Sequence, residues 1–525
     1  MVTKFFRRSP IYSEFTPEEQ ERYFSQTDRK VTNHVDTLYY SCTIYGDSNE
    51  NEGVQAMLDQ LKVLKDRKAG CYANEVDFFG LSVECTRFVH YEYCLRLNET
   101  FDIFISSTLP NVFTPRVVVQ LRTRSLVLDG VNQAICKSFR YVEAILGEFG
   151  LEVGEVKENR IDYAYHTNLI QNPTRYFNDD ILLSKLKTKL RKYQKVGEIG
   201  KTVDIDYLSF GMRNSNNIFV RIYNKSREVI EKNYKSFFIE KWRADKLISE
   251  YDYYVYQRAY AYNSYVTGML IGRIDWYLEF GKNEEIKQEL IKVRSSCFEN
   301  SDNVDHLREV VDGLLPPVTL ILNIEYQTKR KFYTSLDEWI KQFGIAIKNE
   351  FGVTEISKPG QLVLERLHLI YNLRSEICDY LTSECLCFVD EKGTKEETYT
   401  AWWKRIRESR IEEYTPEFLA LFRTHERHTD IEKSKRRLCG AVAQLSILKK
   451  NALNVKTNFV EDISDVLCVL NDNDFYGFAA DPRTGEVPEY NPKDYGAVKR
   501  RKKRQYRGII VDCKETTEKN EREEK

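Results

Sequence analysis

Two sets of short, β-branched and aromatic stretches, divided by one helical pattern, limit what this chain can fold into. From about His34 to Leu126 the sequence runs through VDTLYYSCTIY, CTRFVHYEYCLRL, FDIFIS and RVVVQLRT. Each is rich in Val, Tyr, Phe and Thr and reads as a strand. Residues 128–149 then place Ile135, Phe139, Val142, Leu146 and Phe149 at helical spacing, and Gly150 ends the pattern. Strands return with RIDYAYHT, DYLSFGM, IFVRIYNK and SFFIEKW, the last over 236–242. Strands, a helix and strands again predict an α+β fold whose antiparallel sheet carries helices on one face.

The flanks are helical. Thr16, Pro17 and Glu19 form a helix start with a capping box. A Tyr-rich helical region runs from about Tyr251 to Arg294, and Pro316-Pro317 marks a break. Ser335 with Glu338 predicts a second capping box, opening a helical region that runs to about residue 470. The expected divisions are therefore an N-terminal helical arm over 1–33, a sheet domain over 34–295, a mainly α-helical C-terminal domain over 318–470, and a loop and charged tail over 471–525. A length of 525 residues suits two or three domains.

Composition narrows the class. An apolar fraction of 42% with 30% charged residues belongs to a globular chain. The start, MVTKFFRRSP, lacks a signal-like apolar run, and no stretch approaches the length of a membrane span, so a cytoplasmic chain with no membrane partner is expected. Cys378, Cys385 and Cys387 lack the spacing of a zinc site and read as reduced, buried thiols. Net charge is −1, so DNA binding must come from local patches. One is Lys499, Arg500, Arg501, Lys502, Lys503 and Arg504, part of a run with seven basic residues in nine. It reads either as a solvated tail or as a phosphate-binding segment.

The chemistry concentrates in two strands. In IFVRIYNK, alternation sends Ile218, Val220 and Ile222 to one face and Phe219, Arg221, Tyr223 and Lys225 to the other. A tyrosine hydroxyl flanked by an arginine and a lysine suits a meeting with phosphate. In RIDYAYH, Arg160, Asp162, Ala164 and His166 share a face. Its carboxylate and imidazole can hold a divalent cation, with Glu228 and Glu240 completing the set. Each residue also has a plainer reading: Tyr223 as one of 34 tyrosines, His166 as a structural histidine, and Asp162 as an ion-pair partner of Arg160.

FGMRNSNNIFVRIYNKSRE, residues 210–228, resembles the nicking-site motif of the rolling-circle replication initiation factors of Gram-positive plasmids and conjugative elements. That family shows an F-G-x-R-x-S-N/D segment, then F-I-R-I-Y-N-K, then a glutamate three residues on. RIDYAYH resembles its upstream R-L-D-L-A-F-D element, and SFFIEKW stands where it has a strand with acidic residues. The likeness covers about 115–290, with an N-terminal extension to residue 34.

The resemblance implies a DNA strand transferase: Tyr223 attacks a phosphodiester at an origin, leaving a 5′-phosphotyrosine and a free 3′-hydroxyl. It implies Arg221 and Lys225 as charge-neutralising partners. Asp162, Glu240, His166 and Glu228 become ligands to Mg²⁺ or Mn²⁺, and Arg160 and Arg213 become DNA contacts. Expected partners are origin DNA with an exposed single strand, a host helicase, since no P-loop is present, and a second copy of the chain as a homodimer. His166 stands where the family has an aspartate, and imidazole suits Mn²⁺ better than Mg²⁺. A conjugative relaxase acting at a transfer origin and a non-catalytic origin-binding protein are the alternatives.

Overall fold

The computed structural model describes residues 10–411 except 25–29, 71–76, 85–89, 98–99, 112–113, 191–192, 198–204, 214–215, 232–234, 300–303, 338–339, 341–358, 391 and 393–397. The expected loop and basic tail lie outside the described residues, as does all of the C-terminal stretch beyond 411. Thirteen strands are described: β1 Val31–Ile44, β2 Asp77–Phe78, β3 Leu81–Glu84, β4 Tyr93–Leu97, β5 Phe101–Ile105, β6 Val117–Arg122, β7 Val153–Thr167, β8 Leu186–Thr188, β9 Tyr193–Gly197, β10 Ile205–Phe210, β11 Ile218–Asn224, β12 Leu322–Lys329 and β13 Leu386–Phe388. The chain is α+β, and it divides into two compact units to which the long strands β1 and β7 both contribute.

One unit holds the described residues within 10–39, 122–134 and 158–411. Its strand order is β1-β7-β12-β11-β10-β9, with β7, β12, β11, β10 and β9 all paired antiparallel. Alternation places Ile161, Tyr163 and Tyr165 of β7, Ile324 and Tyr326 of β12, and Val220 and Ile222 of β11 in the core. Helices Lys225–Glu231, Phe237–Ala244, Glu250–Tyr262, Val266–Phe280, Glu284–Glu299 and Val304–Leu314 follow β11 in sequence. The N-terminal arm docks by its aromatics: Phe15 and Phe24 are buried, with ring centroids 5.6 and 5.2 Å from that of Trp276. Its capping box is present, with Thr16 N–H donating to Glu19 at 2.8 Å and Glu19 N–H to Thr16 Oγ1 at 3.3 Å.

The other unit holds the described residues within 40–121 and 135–157. Its strands follow the order β2-β3-β4-β5-β6-β1, and register stacks Leu95, Ile103 and Val119 in its core. The helix Val131–Glu148 buries Phe139, Val142 and Leu146 as the spacing predicts, and Gly150 ends it at φ +66°. Arg116 is fully buried on Asp47 at 2.7 Å and also donates to the Ser106 carbonyl.

Two local expectations change. SFFIEKW is not a strand: Phe237–Ala244 is a helix that buries Phe237, Phe238, Ile239 and Trp242. So short an apolar run carries no decisive period, and packing settled it. Ser335 is the C-cap of the helix Arg330–Thr334, and Glu338, its expected partner in a capping box, lies outside the described residues. The stretch beyond Pro316-Pro317 is helical at Pro359–Asn372 and Arg374–Tyr380, but it first supplies β12, which lies between β7 and β11.

Helices Glu250–Tyr262 and Val266–Phe280 approach closely at two glycines. A Cβ on Gly268 would stand 2.9 Å from the Ala259 Cα, and one on Gly272 would stand 2.9 Å from the Val255 carbonyl oxygen. A helical Gly→Ala change ordinarily stabilises by about 0.4–1 kcal/mol. Here the backbone contact reverses the sign, and Gly268→Ala or Gly272→Ala is expected to cost about 1–3 kcal/mol in chemical denaturation.

Candidate active site

The site is a face of the central strands, and register builds it. Tyr223 of β11 pairs with Asn323 of β12, which pairs with His166 of β7. Two residues along, Arg221 pairs with Glu325 and Glu325 with Ala164; two further, Phe219 pairs with Gln327 and Gln327 with Asp162. Because alternate residues share a face, the two strands singled out by sequence do meet on one side of the sheet, with β12 between them.

Tyr223 sits half-buried among donors and acceptors. Its hydroxyl donates toward Glu325 Oε2 at 3.0 Å and Glu228 Oε2 at 3.3 Å, two acceptors competing for one proton. It accepts from Asn323 Nδ2 at 2.9 Å and from Lys225 Nζ at 3.4 Å. Burial and the Glu325 charge push the phenol well above its ordinary pKa, against the pull of Lys225. It is therefore protonated at neutral pH and requires a base to become a nucleophile.

Lys225, the first residue of the helix after β11, has no exposed surface. Its ammonium pairs with Glu228 at 2.7 Å and Asp36 at 3.7 Å and lies 4.8 Å from the Phe238 ring centroid. Burial alone would depress its pKa, but Glu228, Tyr223 and Asp36 hold it well above the lysine range. Burial works in the opposite sense on Glu228, yet Lys225 and Lys235 bring that carboxyl down to about 2. Arg221 donates to Glu325 Oε1 at 2.5 Å, while its buried Nε has no hydrogen-bond partner.

The expected cation ligands do not converge. Asp162 is held by Arg160 in a two-pronged contact, one arm at 2.8 Å, which is the ion-pair reading of that residue. Burial raises its carboxyl to about 7 despite Arg160, with Glu325 and Asp36 adding to the rise. His166 is fully buried, and its Nδ1 accepts the Trp242 indole N–H at 3.1 Å. Glu240 lies on the helix Phe237–Ala244 and accepts from Tyr253 at 2.6 Å and Gln257 at 2.8 Å. Glu228 alone of the four reaches Tyr223. Among the described residues no three His, Cys, Asp or Glu side chains are placed to hold an ion. The expected set does not fit a divalent cation, because the acidic groups nearest Tyr223 are each neutralised by a lysine or arginine.

Arg160 also lies over the Tyr39 ring at 5.4 Å, and Arg213 is exposed, its carbonyl taking Lys329. The basic positions Lys499 to Arg504 lie outside the described residues. Cys378, Cys385 and Cys387 are buried and form no disulfide. Among the described residues no helix is long and apolar enough to cross a membrane.

Sequence reading missed Asn323, Glu325, Asp36 and His34. LNIEYQTK alternates as plainly as IFVRIYNK, but it stands after a double proline and far along the chain. His34 and Asp36 stand in the first strand, where nothing in the spacing ties them to Tyr223. The His34 and His166 rings meet at 4.4 Å, and neither His34 nitrogen nor His166 Nε2 has a hydrogen-bond partner.

No family model matches the sequence, and neither does any curated protein. Among solved structures, the chain is similar to a rolling-circle replication initiator protein from Geobacillus stearothermophilus. That likeness covers 73% of this chain and 100% of that one, at 11% identity and a TM-score of 0.31.

Burial depresses both histidine pKa values, His166 the more strongly. A group that folding makes harder to protonate contributes stability above its unfolded value, about 6.5, and loses it as pH falls. His166→Gln keeps an acceptor for Trp242 and cannot titrate. Denaturation series from pH 7.5 to 5 should show the native protein losing ground to this variant below about pH 6.5, by up to about 1.4 kcal/mol per pH unit.

Proposed function

We propose that the chain is a rolling-circle replication initiator that nicks and rejoins one DNA strand at an origin, with Tyr223 as nucleophile. The observation that carries this reading is the Tyr223 hydroxyl held between two carboxylates and two N–H donors, on a strand whose sequence matches the nicking motif.

In this reading Glu325 or Glu228 takes the phenol proton as Tyr223 Oη attacks phosphorus. The P–O3′ bond breaks, the 3′ oxygen leaves as a hydroxyl after gaining a proton, and the 5′ phosphate stays on the tyrosine. Asn323 and Lys225 donate to the phenolate oxygen as it forms. Arg221, with its Nε unpartnered, faces the charge that builds on the phosphoryl oxygens. Rejoining is the reverse: the 3′-hydroxyl attacks the phosphotyrosine and the phenol is released. The phosphotyrosine conserves the energy of the broken bond, so rejoining needs no nucleotide triphosphate.

The test is nicking of supercoiled plasmid carrying the DNA that surrounds this protein's own gene, with Mg²⁺ or Mn²⁺ added. Native protein should give relaxed circles with protein attached to a 5′ end, and Tyr223→Phe should give none. Glu325→Gln should slow nicking about 10²-fold, the scale of a displaced general base. Nicking by Tyr223→Phe would move the chemistry to another residue. Tight origin binding with no nicking by either protein would favour a non-catalytic origin-binding role.

A further inference from the structure

The basic residues along the face that carries Tyr223 are not equally neutralised. Beyond the row of Phe219, Gln327 and Asp162, register sets Lys329 of β12 opposite Arg160 of β7. Lys329 is still extended, at φ −112° and ψ 166°, so alternation keeps it on the face of Asn323, Glu325 and Gln327. Along β12 it stands roughly 20 Å from Asn323, the neighbour of Tyr223. Its ammonium donates to the carbonyl of Arg213, in the loop between β10 and β11.

Near Tyr223 each cation has its acid: Lys225 has Glu228 and Asp36, Arg221 has Glu325, and Arg160 has Asp162. At the far end this stops. Among the described residues neither Lys329 nor Arg213 has a carboxylate partner. Burial and the charges of Arg160 and Arg213 lower the Lys329 pKa, with no acid acting against them. The strip is also open: Arg221 and Arg160 leave 30% and 22% of their side chains exposed, Lys329 is half-buried and Arg213 is exposed. Between its ends, Arg221 Nε and Gln327 Oε1 are buried without hydrogen-bond partners. Like charges gathered without an acid repel one another, and a phosphate placed between them relieves that repulsion.

We propose that Lys329 and Arg213 clamp a backbone phosphate of the strand cut at Tyr223, a few nucleotides from the scissile bond, with the strand laid along β12. The proposal rests on Tyr223 as the DNA nucleophile. Arg213 is among the DNA contacts that the resemblance implies, whereas Lys329 is new to the site. A contact so far from the reacting atoms binds ground state and transition state alike, and its work is to hold the strand in register.

The experiment has two arms, both on the full chain. In the first, the chain carrying Tyr223→Phe binds a single-stranded oligothymidylate across a series of salt concentrations. Adding Lys329→Gln or Arg213→Gln should weaken binding at low salt about tenfold, the scale of one charged contact. Each should also flatten the plot of log affinity against log salt by about 0.7, and both together by about 1.4. Lys329→Arg should keep the native slope. Lys329 also anchors the Arg213 loop, and a loosened loop would weaken binding without changing the slope. An unchanged slope in both glutamine variants therefore overturns the clamp. In the second arm, with Tyr223 intact, Lys329→Gln should raise KM for nicking about tenfold and leave kcat in place. A fall in kcat at constant KM would also overturn it. The predicted slopes, in a protein whose native form never cuts DNA, would retain the clamp and remove the nucleophile.

Discussion

A lysine with no exposed surface holds the centre of this molecule together. Burying an ammonium group costs several kcal/mol unless charges and hydrogen bonds replace its water. Lys225 therefore requires Asp36 from β1, Glu228 from its own helix and the Tyr223 hydroxyl all to be in place. Those partners come from segments nearly two hundred residues apart. Moving any one of them leaves a buried charge uncompensated, so the ion cluster fixes where β11 ends and where its helix begins. Lys235 on Glu228 and Arg221 on Glu325 extend the same logic outward.

That cluster also sets the chemistry open to Tyr223. A phenol whose pKa is pushed up by burial is inert at neutral pH, yet this one touches two carboxylates that can accept its proton. Lys225 and Asn323 stand ready to receive the negative charge that deprotonation would leave. The electrostatic arrangement precedes any substrate, which is the condition under which fixed dipoles and charges lower a barrier most. The buried atoms with no hydrogen-bond partner, Arg221 Nε, Asn323 Oδ1, Gln327 Oε1 and His166 Nε2, belong to residues of the same face. A folded chain rarely leaves so many polar atoms unsatisfied together except where something else is to be bound.

Much of this was legible before any coordinates. Period-two alternation put Ile218, Val220 and Ile222 in the core and aligned Arg221 with Tyr223. The same rule joined Asp162 and His166 on β7. The capping box at Thr16 followed from local chemistry alone. Sequence could not reveal which strands are neighbours, because register between β7, β12 and β11 is set by packing across more than 150 residues of chain. Hence Glu325 and Asp36 went unnoticed, while Glu240 was carried into the site by a strand that is in fact a helix. His166 carried two readings, cation ligand and structural histidine, and the Trp242 indole N–H that its Nδ1 accepts is a contact that spacing cannot express.

A bond from the Tyr223 oxygen to DNA phosphorus can itself be weighed. After reaction with an origin-bearing single strand, the protein is denatured, its DNA digested to the attached nucleotide, and its peptides separated by mass. With Tyr223 as nucleophile, the tryptic peptide Ile222-Tyr223-Asn224-Lys225 is expected to carry one nucleoside 5′-monophosphate on the tyrosine. The same mass increment found on another tyrosine, with this peptide unmodified, would contradict it.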